Sequence, residues 1–581
     1  MPLTATIKGR TIDYYVIAVA EFLQQILPAG SPRTRVWSYQ LRNVQGTRNY
    51  PAFTIEARAD RAVRVQWING LVDAAGNYLP HILPVDPTMH WANPPGGVTG
   101  RDMRPEFTST PGRYTGPVPI VTHLHGGHNG EESDGYPEAW YLPAAKNIPA
   151  GYAAVGSFYD QFKAASQAAT GAVWAPGTAV FQYENDQPAS TLWFHDHTLG
   201  MTRANVYAGP AGFYMIRGGS NDLPAGVLPA PAPARGDPAG TRYYEMPLAI
   251  QDRSFNADGS LFYPDSRAFF DGFEGPYIPG SDVPPIWNPE VFGNTMLVNG
   301  KTWPFVEVEP RRYRLRVLNG CSGRFLILRL DPGLPFWQIG AEGGFLPTPV
   351  QLSELLMGPA ERADVIVDFS GLAGRTVRLL NLGPDEPFGG GVPCQDFEPA
   401  DPGTTGQVLE FRVTVPLSGP DTSIPPEQLR LPAPPKPGAT TNTREVSLNE
   451  AASTFPGFDG PVAALLGTMT PDGPTPLGWA APITENVAVG AVEEWAMHNF
   501  TEDAHPIHIH EIQFQVVNRQ PFGSPARGPE PWETGLKDTV IAYPGQITRV
   551  KGHYDRAGVF VWHCHIIEHE DNEMMRPYRI S

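Results

Sequence analysis

Eight of the chain's 15 histidines fall in four His-x-His pairs: His123/His125, His195/His197, His508/His510 and His563/His565. Random placement would give about 0.4 such pairs, so the pattern is a signal. On a strand, residues i and i+2 point to the same face, and each pair therefore presents two imidazoles side by side. Eight converging nitrogens are too many for one metal and suit a cluster of three. Neutral imidazole serves copper, zinc, iron and nickel alike, so the pairs alone leave the metal open.

The run His563-Cys-His-Ile-Ile-Glu-His569-Glu-Asp-Asn-Glu-Met574 narrows the choice. Cys564 points to the face opposite His563 and His565, and so can serve one metal while its neighbours serve another. A thiolate, two imidazoles and a weak axial thioether make a blue-copper electron-transfer site. Cys564, His569 and Met574 supply three of these, and His505 the fourth; its offset of three from His508 turns it off the His508/His510 face. One strand pair then holds a mononuclear site on one side and a cluster on the other, joined through the Cys564 backbone. Closed tetrahedral zinc sets are overshot by this many ligands. His81, His90, His128, His498 and His553 lack paired spacing and read as loop or core residues.

Elements that could position such ligands recur along the chain. Phe53-Thr-Ile-Glu-Ala-Arg leads into Val63-Arg-Val-Gln-Trp-Ile-Asn69-Gly70, and Phe305-Val-Glu-Val-Glu-Pro leads into Tyr313-Arg-Leu-Arg-Val-Leu-Asn319-Gly320. A weaker third copy is Val492-Glu-Glu-Trp-Ala-Met-His-Asn499. Each alternates apolar and polar residues and ends at a turn residue, as half-buried strands do. They predict equivalent strands of three related β-sandwiches. Further strands are expected at 213–217, 325–330, 363–369 and 376–380, and short helices at 138–145 and 159–169. Segments 223–240 and 416–441, rich in Pro, Ala and Gly, read as linkers, which divides the chain into domains at 1–222, 241–415 and 442–581. The expected fold class is all-β. The 64 prolines and 61 glycines are spread throughout, as many short strands and turns require.

A formal net charge of −18 repels phosphate backbones and argues against nucleic acid as a partner. No run of 18 apolar residues exists, so no membrane span is expected. The apolar stretch 14–20 is bounded by Asp13 and Glu21 and lacks a good cleavage site; it reads as a strand and not a signal peptide, which points to a cytoplasmic location. Three cysteines, Cys321, Cys394 and Cys564, are too few for a disulfide framework. Cys321 and Cys394 could pair, but free thiols are the simpler expectation.

The sequence resembles the multicopper oxidase family, and within it the bacterial spore-coat laccase and phenoxazinone synthase branch. The likeness rests on His123-Leu-His-Gly-Gly, Asp134-Gly-Tyr-Pro-Glu-Ala-Trp140, His195-Asp-His with Thr202-Arg-Ala-Asn-Val-Tyr-Ala-Gly209, Leu297-Val-Asn-Gly-Lys, Pro359-Ala-Glu-Arg, His505 to His510, Lys537-Asp-Thr and Trp562 to Pro577. It implies three cupredoxin-like Greek-key sandwiches, with copper ligands only in the first and last. It implies four coppers: type 1 on His505, Cys564, His569 and Met574; type 2 on His123 and His508; and a type 3 pair on His125, His195, His197, His510, His563 and His565. Glu570 and Asp134 match acidic positions near the cluster and are expected to relay protons, since reducing dioxygen to two waters consumes four. The branch also suggests a spore-associated location. A disulfide cysteine of the spore-coat relatives has no counterpart in Phe292-Gly-Asn-Thr-Met-Leu-Val-Asn, which leaves Cys394 as its stranded partner.

The activity this implies is one-electron oxidation of phenolic, aminophenolic or related organic donors, docked near His505, coupled to reduction of dioxygen to water. The alternatives are an oxidase of ferrous, manganous or cuprous ions, and a copper-binding structural or coat protein without turnover. The 12 methionines are dispersed apart from Met574-Met575, against a cuprous oxidase, and the complete ligand set argues against a structural protein. The donor's identity, the type 1 potential and the oligomeric state are not encoded in these motifs.

Overall fold

The computed structural model describes residues 3–581 except 8, 43, 45, 457 and 459. Among the described residues six sheets form three two-layered sandwiches. Each sandwich has its own apolar core drawn from both facing sheets: Val63, Val65 and Trp67 against Leu192, Phe194 and Tyr214; Leu315 and Val317 against Leu326, Leu328 and Val377; Val446 and Trp495 against Ile507, Phe560 and Trp562.

The predicted repeat is one of topology as well as sequence. In each sandwich a short strand pairs in parallel with the last strand of its sheet: Ile55–Arg58 with Ala211–Arg217, Phe305–Glu307 with Gln407–Arg412, and Asn486–Val487 with Met575–Ile580. The chain then crosses to the facing sheet as Val63–Asn69, Arg312–Asn319 or Ala491–Asn499, each paired parallel on one side and antiparallel on the other. A buried asparagine ends each of these strands. Asn69 donates from Nδ2 to Val118 O (2.8 Å) and Tyr141 O (3.0 Å); Asn319 donates to Arg324 O (3.0 Å) and Met357 O (2.9 Å); Asn499 donates to Asp503 O (2.8 Å) and Ala542 O (2.9 Å). The side-chain oxygen accepts the backbone N–H two residues on in all three. Only a short amide can satisfy buried carbonyls and an N–H together at such a corner.

The other expected strands appear as Ala211–Arg217, Leu326–Asp331, Arg362–Asp368 and Thr376–Asn381, and the 14–20 stretch lies within strand Arg10–Gln24. Tyr159–Thr170 is the expected helix. The helix expected at 138–145 is not formed: only a 3-10 turn, Pro137–Ala139, is present, and Tyr141 bridges to Ile120 and Val155. Pro143 disfavours helix at the residue before it and removes a donor, which accounts for the difference. Segments 223–240 and 416–441 contain no strand, but they pack together: Leu228 and Leu429 share a cluster with Ile339, Phe345 and Ile366. Cys321 and Cys564 are buried, Cys394 is exposed, and all three are free thiols.

Candidate metal centre

Strand Thr122–His125 pairs antiparallel with Ser190–Asp196, placing His123 opposite His195. In the third sandwich His505–Ile509 pairs antiparallel with Gly558–Cys564, placing His508 opposite His563 and Ile507 opposite Cys564. Strand alternation therefore sends His508, His510, His563 and His565 toward the first sandwich and Cys564 into the third sandwich's core. The two histidine faces meet. His123 stacks on His510 with ring centroids 3.8 Å apart, and His125 on His508 at 3.6 Å.

Three groups of histidines bring their ring nitrogens within 4.8 Å of one another: His123, His125 and His508; His125, His195 and His565; His197, His510 and His563. One nitrogen of most rings is tied outward. Nδ1 of His123 is 2.6 Å from Asp134 O, of His195 2.8 Å from Asp196 O, of His508 2.7 Å from Asp538 O and of His563 3.0 Å from Cys564 O. The inward nitrogens, Nε2 of His123, His195 and His508 and Nδ1 of His125, are buried and have no partner; both ring nitrogens of His565 are in the same state. A buried polar atom left unpaired is costly, and this many facing one another fit a set of metal ligands held from outside by their second nitrogens. Burial pushes these imidazoles down, His195 to about 4 and His508 to about 3, so they are neutral with lone pairs free to bind copper.

On the far side of the same strands lies a second group. Cys564 Sγ is 3.6 Å from His505 Nδ1 and 3.9 Å from His569 Nδ1, and the two Nδ1 atoms are 3.3 Å apart. Met574 is fully buried in the same core, its carbonyl accepting Cys564 N–H at 2.9 Å. The third asparagine corner reaches this group: Thr501, bonded to Asn499 Oδ1, sits with its hydroxyl 2.7 Å from His505 Nε2 and so leaves Nδ1 facing the sulfur. Burial pushes the Cys564 thiol well above its usual range, so a thiolate here needs a metal's charge. Ile566 N–H donates to that sulfur at 3.4 Å.

Both expected carboxylates lie at the cluster. Asp134 Oδ2 is 2.8 Å from His510 Nδ1, while Oδ1 has no partner. Burial, with Glu511 and Glu132 nearby, pushes its carboxyl well above the usual range. Glu570, on the short helix Ile567–Asp571, lies between the sandwiches, Oε2 3.2 Å from His563 Nδ1 and Oε1 3.6 Å from His197 Nδ1. Two glycines permit this closeness. Gly126 (φ 83°) has no room for a Cβ, which would lie 2.2 Å from Asp538 Oδ2; at Gly135 (φ 85°) it would lie 2.2 Å from Thr122 O.

Asp538 and Arg362 were missed by the sequence reading. Asp538, fully buried, accepts from Arg362 Nη1 (2.9 Å) and Thr539 Oγ1 (2.9 Å), pairs with Arg362 Nη2, and lies 3.0 Å from His125 Nε2. Burial alone would raise its carboxyl; Arg362 holds it below the usual range. Arg362 also donates to Thr191 O at 2.9 Å, so the second sandwich, with no histidine in the cluster, still braces it from both sides. The signals were the Pro359-Ala-Glu-Arg and Lys537-Asp-Thr motifs, whose spacing to any histidine is uninformative. Of the unpaired histidines, His81 bonds Asn205, His90 bonds Asp102 O, His498 pairs with Glu445, His553 is exposed, and His128 sits between Asp186 and Asp555.

Comparison with known proteins agrees with this architecture. The multicopper oxidase family profile matches residues 463–581. A laccase of Bacillus stratosphericus is 35% identical over 99% of this chain and 96% of its own length, and a laccase of Bacillus subtilis is 34% identical over 100% and 98%. Among solved structures, the McoA multicopper oxidase of Aquifex aeolicus superposes with a TM-score of 0.66 at 22% identity, covering 98% of this chain and 96% of that one. The chain belongs to the multicopper oxidase family. It is a copper-dependent oxidoreductase with dioxygen as acceptor and three cupredoxin-like domains. Among the described residues no helix is long and apolar enough to cross a membrane.

Proposed function

We propose that the chain is a laccase-type oxidase of phenolic, aminophenolic or related organic donors, holding four coppers. The supporting observation is the set of buried, unpartnered imidazole nitrogens facing one another between the first and third sandwiches, one peptide unit from the Cys564 group. In this reading His505, Cys564, His569 and Met574 hold type 1 copper, and His123 and His508 hold type 2. His125, His195 and His565 hold one type 3 ion, and His197, His510 and His563 the other. Domains 1–222 and 442–581 then supply every ligand, 241–415 supplies none, and 223–240 and 416–441 connect them.

Bound copper supplies single-electron acceptance on the donor side and four-electron reduction of dioxygen on the other. The chain's residues do the rest. A cavity of about 790 Å³ reaches His569 and Thr501 and gives a donor access to the edge of the type 1 group. Cys564 is covalently continuous with His563 and His565, and its carbonyl lies 3.0 Å from His563 Nδ1, a second short link between the two groups. Asp134 holds His510 through Oδ2 and can carry a proton on its unpartnered Oδ1. Glu570 can take a proton at Oε2 and release it between His563 and His197.

Copper content and the visible spectrum of the copper-loaded protein test this reading. About four coppers per chain and a strong blue absorption that a phenol bleaches without air, and that air restores, are expected. Zinc instead of copper, or copper without the blue band, would refute it. Glu570→Gln and Asp134→Asn are expected to slow dioxygen reduction by about 100-fold while the blue band persists. Wild-type turnover in either variant would remove that residue from proton delivery.

A further inference from the structure

We propose that Glu573 is the positioning residue for Met574, tied to the first sandwich through His90 and Trp479, and that this tie sets the reduction potential of the type 1 group; it rests on the reading of Met574 as the axial type 1 ligand. The short helix Ile567–Asp571 ends in a turn in which the N–H groups of Asn572 (3.1 Å) and Met574 (2.9 Å) both donate to His569 O. Met574 O in turn accepts from Cys564 N–H at 2.9 Å. Met574 is thus laced by its backbone to two other residues of the type 1 group. The reversal that brings it there is made at Glu573, which has φ 113°. Such backbone at a helix end belongs by preference to glycine or asparagine. A glutamate stays in it only when its surroundings hold it there.

The Glu573 carboxylate is held twice. Oε2 accepts from Trp479 N–H at 2.7 Å, and Oε1 lies 3.5 Å from His90 Nδ1. Both partners lead into the first sandwich. The Trp479 ring is buried in that sandwich's core and donates from Nε1 to Glu138 Oε1 at 2.8 Å. His90 Nε2 is 2.8 Å from Asp102 O, so that nitrogen carries a hydrogen and Nδ1 is the one turned to the carboxylate. Burial alone would lower the imidazole, but Glu573 foremost, with Asp102 O and Glu138, outweighs it and raises the group, which fits an imidazolium–carboxylate pair. The segment carrying Trp479 is pressed close: a Cβ at Gly478 would lie 2.8 Å from Glu573 Oε2, and Arg576 Nη1 donates to Gly478 O at 2.7 Å.

The potential of a type 1 group depends on how firmly the axial sulfur is offered, because a thioether's electron density favours the oxidised metal. With the carboxylate released, nothing in the side chain keeps residue 573 at its unfavourable φ, and the turn can relax and carry Met574 away. Loss of the tie is therefore expected to raise the potential while every ligand stays in the chain. The first sandwich would then adjust a group to which it contributes no ligand, through a histidine whose spacing in the sequence is uninformative.

The test is redox titration of the copper-loaded protein with one-electron mediators, together with its blue absorption and electron paramagnetic resonance spectrum. Glu573→Ala is expected to shift the equilibrium toward the reduced form by about tenfold, or about 59 mV, and to alter the copper hyperfine splitting. Glu573→Gln, which keeps an acceptor for Trp479 N–H, and His90→Gln, which removes the cation, are expected to give smaller shifts in the same direction. Combining these two should move the potential no further than either alone, since both break one contact. A merely structural role would lower the unfolding temperature and leave the potential of the folded protein unchanged. If Glu573→Ala does not fold, the two milder variants and their combination still decide the matter. Wild-type potential and spectrum in all variants overturn the proposal, and a shift confined to the Glu573 variants overturns the tie through His90. Absence of the blue band in the wild type overturns the copper reading and this one with it.

Discussion

At the scale of single residues, Asp538 does more for the cluster than its position suggests. Its side chain joins Arg362, Thr539 and His125, and its carbonyl lies 2.7 Å from His508 Nδ1. Two of the proposed ligands, His125 in the first sandwich and His508 in the third, are therefore oriented by a single residue. Outer partners of metal-bound histidines fix the ring and its tautomer, and their loss weakens metal binding. Asp538→Asn also leaves the fully buried Arg362 guanidinium without its counter-charge, a defect worth roughly 3 kcal/mol. The variant is expected to unfold at lower denaturant concentration and to retain less copper per chain after dialysis. Wild-type stability and copper content would show that Arg362 is satisfied by Thr191 O and Ala360 O alone.

At the scale of elements, the asparagine corners show how much of the design is written locally. The Asn69-Gly70 and Asn319-Gly320 endings and the alternating strands were legible because period-2 burial and a turn residue leave a direct mark on the sequence. The ligands were legible for the same reason: i, i+2 spacing fixes a common face. Arg362 and Asp538 were not, because their roles exist only when three sandwiches meet and no local period encodes that. The 138–145 segment misled because its composition suits a helix while Pro143 forbids one. The repeat gives a controlled comparison. Asn69→Ala and Asn499→Ala each remove two side-chain hydrogen bonds to carbonyls at the corner, at a cost of roughly 2 kcal/mol. Only Asn499 also holds Thr501 and, through it, His505. Both variants should lose similar stability in thermal unfolding, but only Asn499→Ala should alter the blue absorption. An unchanged spectrum in Asn499→Ala would mean that Thr501 does not orient His505.

At the scale of the whole molecule, the cluster requires the three sandwiches to hold a fixed arrangement, and buried charges crossing their boundaries do much of this. Asp571 caps the helix Thr202–Ala208 through Thr202 N–H (3.0 Å) and Arg203 N–H (2.9 Å), tying the first sandwich to the third. Glu245 ties the first to the second. It accepts from Arg316 Nε at 3.0 Å and from Arg217 Nη1 at 3.1 Å, and Arg316 also donates to Thr191 Oγ1 at 2.8 Å. Burial would raise the Glu245 carboxyl, but Arg314, Arg316 and Arg217 outweigh it and hold it down to about 2, against an ordinary value of 4.5. Because the folded value is the lower one, the unfolded chain takes up the proton first. The stabilisation is complete above pH 4.5 and is lost as pH falls toward 2, amounting to roughly 3 kcal/mol at most. Histidine protonation and copper loss also act in acid, so the informative quantity is the difference between wild type and Glu245→Gln. The variant should melt lower at pH 6, and the gap between the two should close as pH drops from 4.5 toward 2. A gap that stays constant over that window would mean that the Glu245 carboxylate does not hold these sandwiches together.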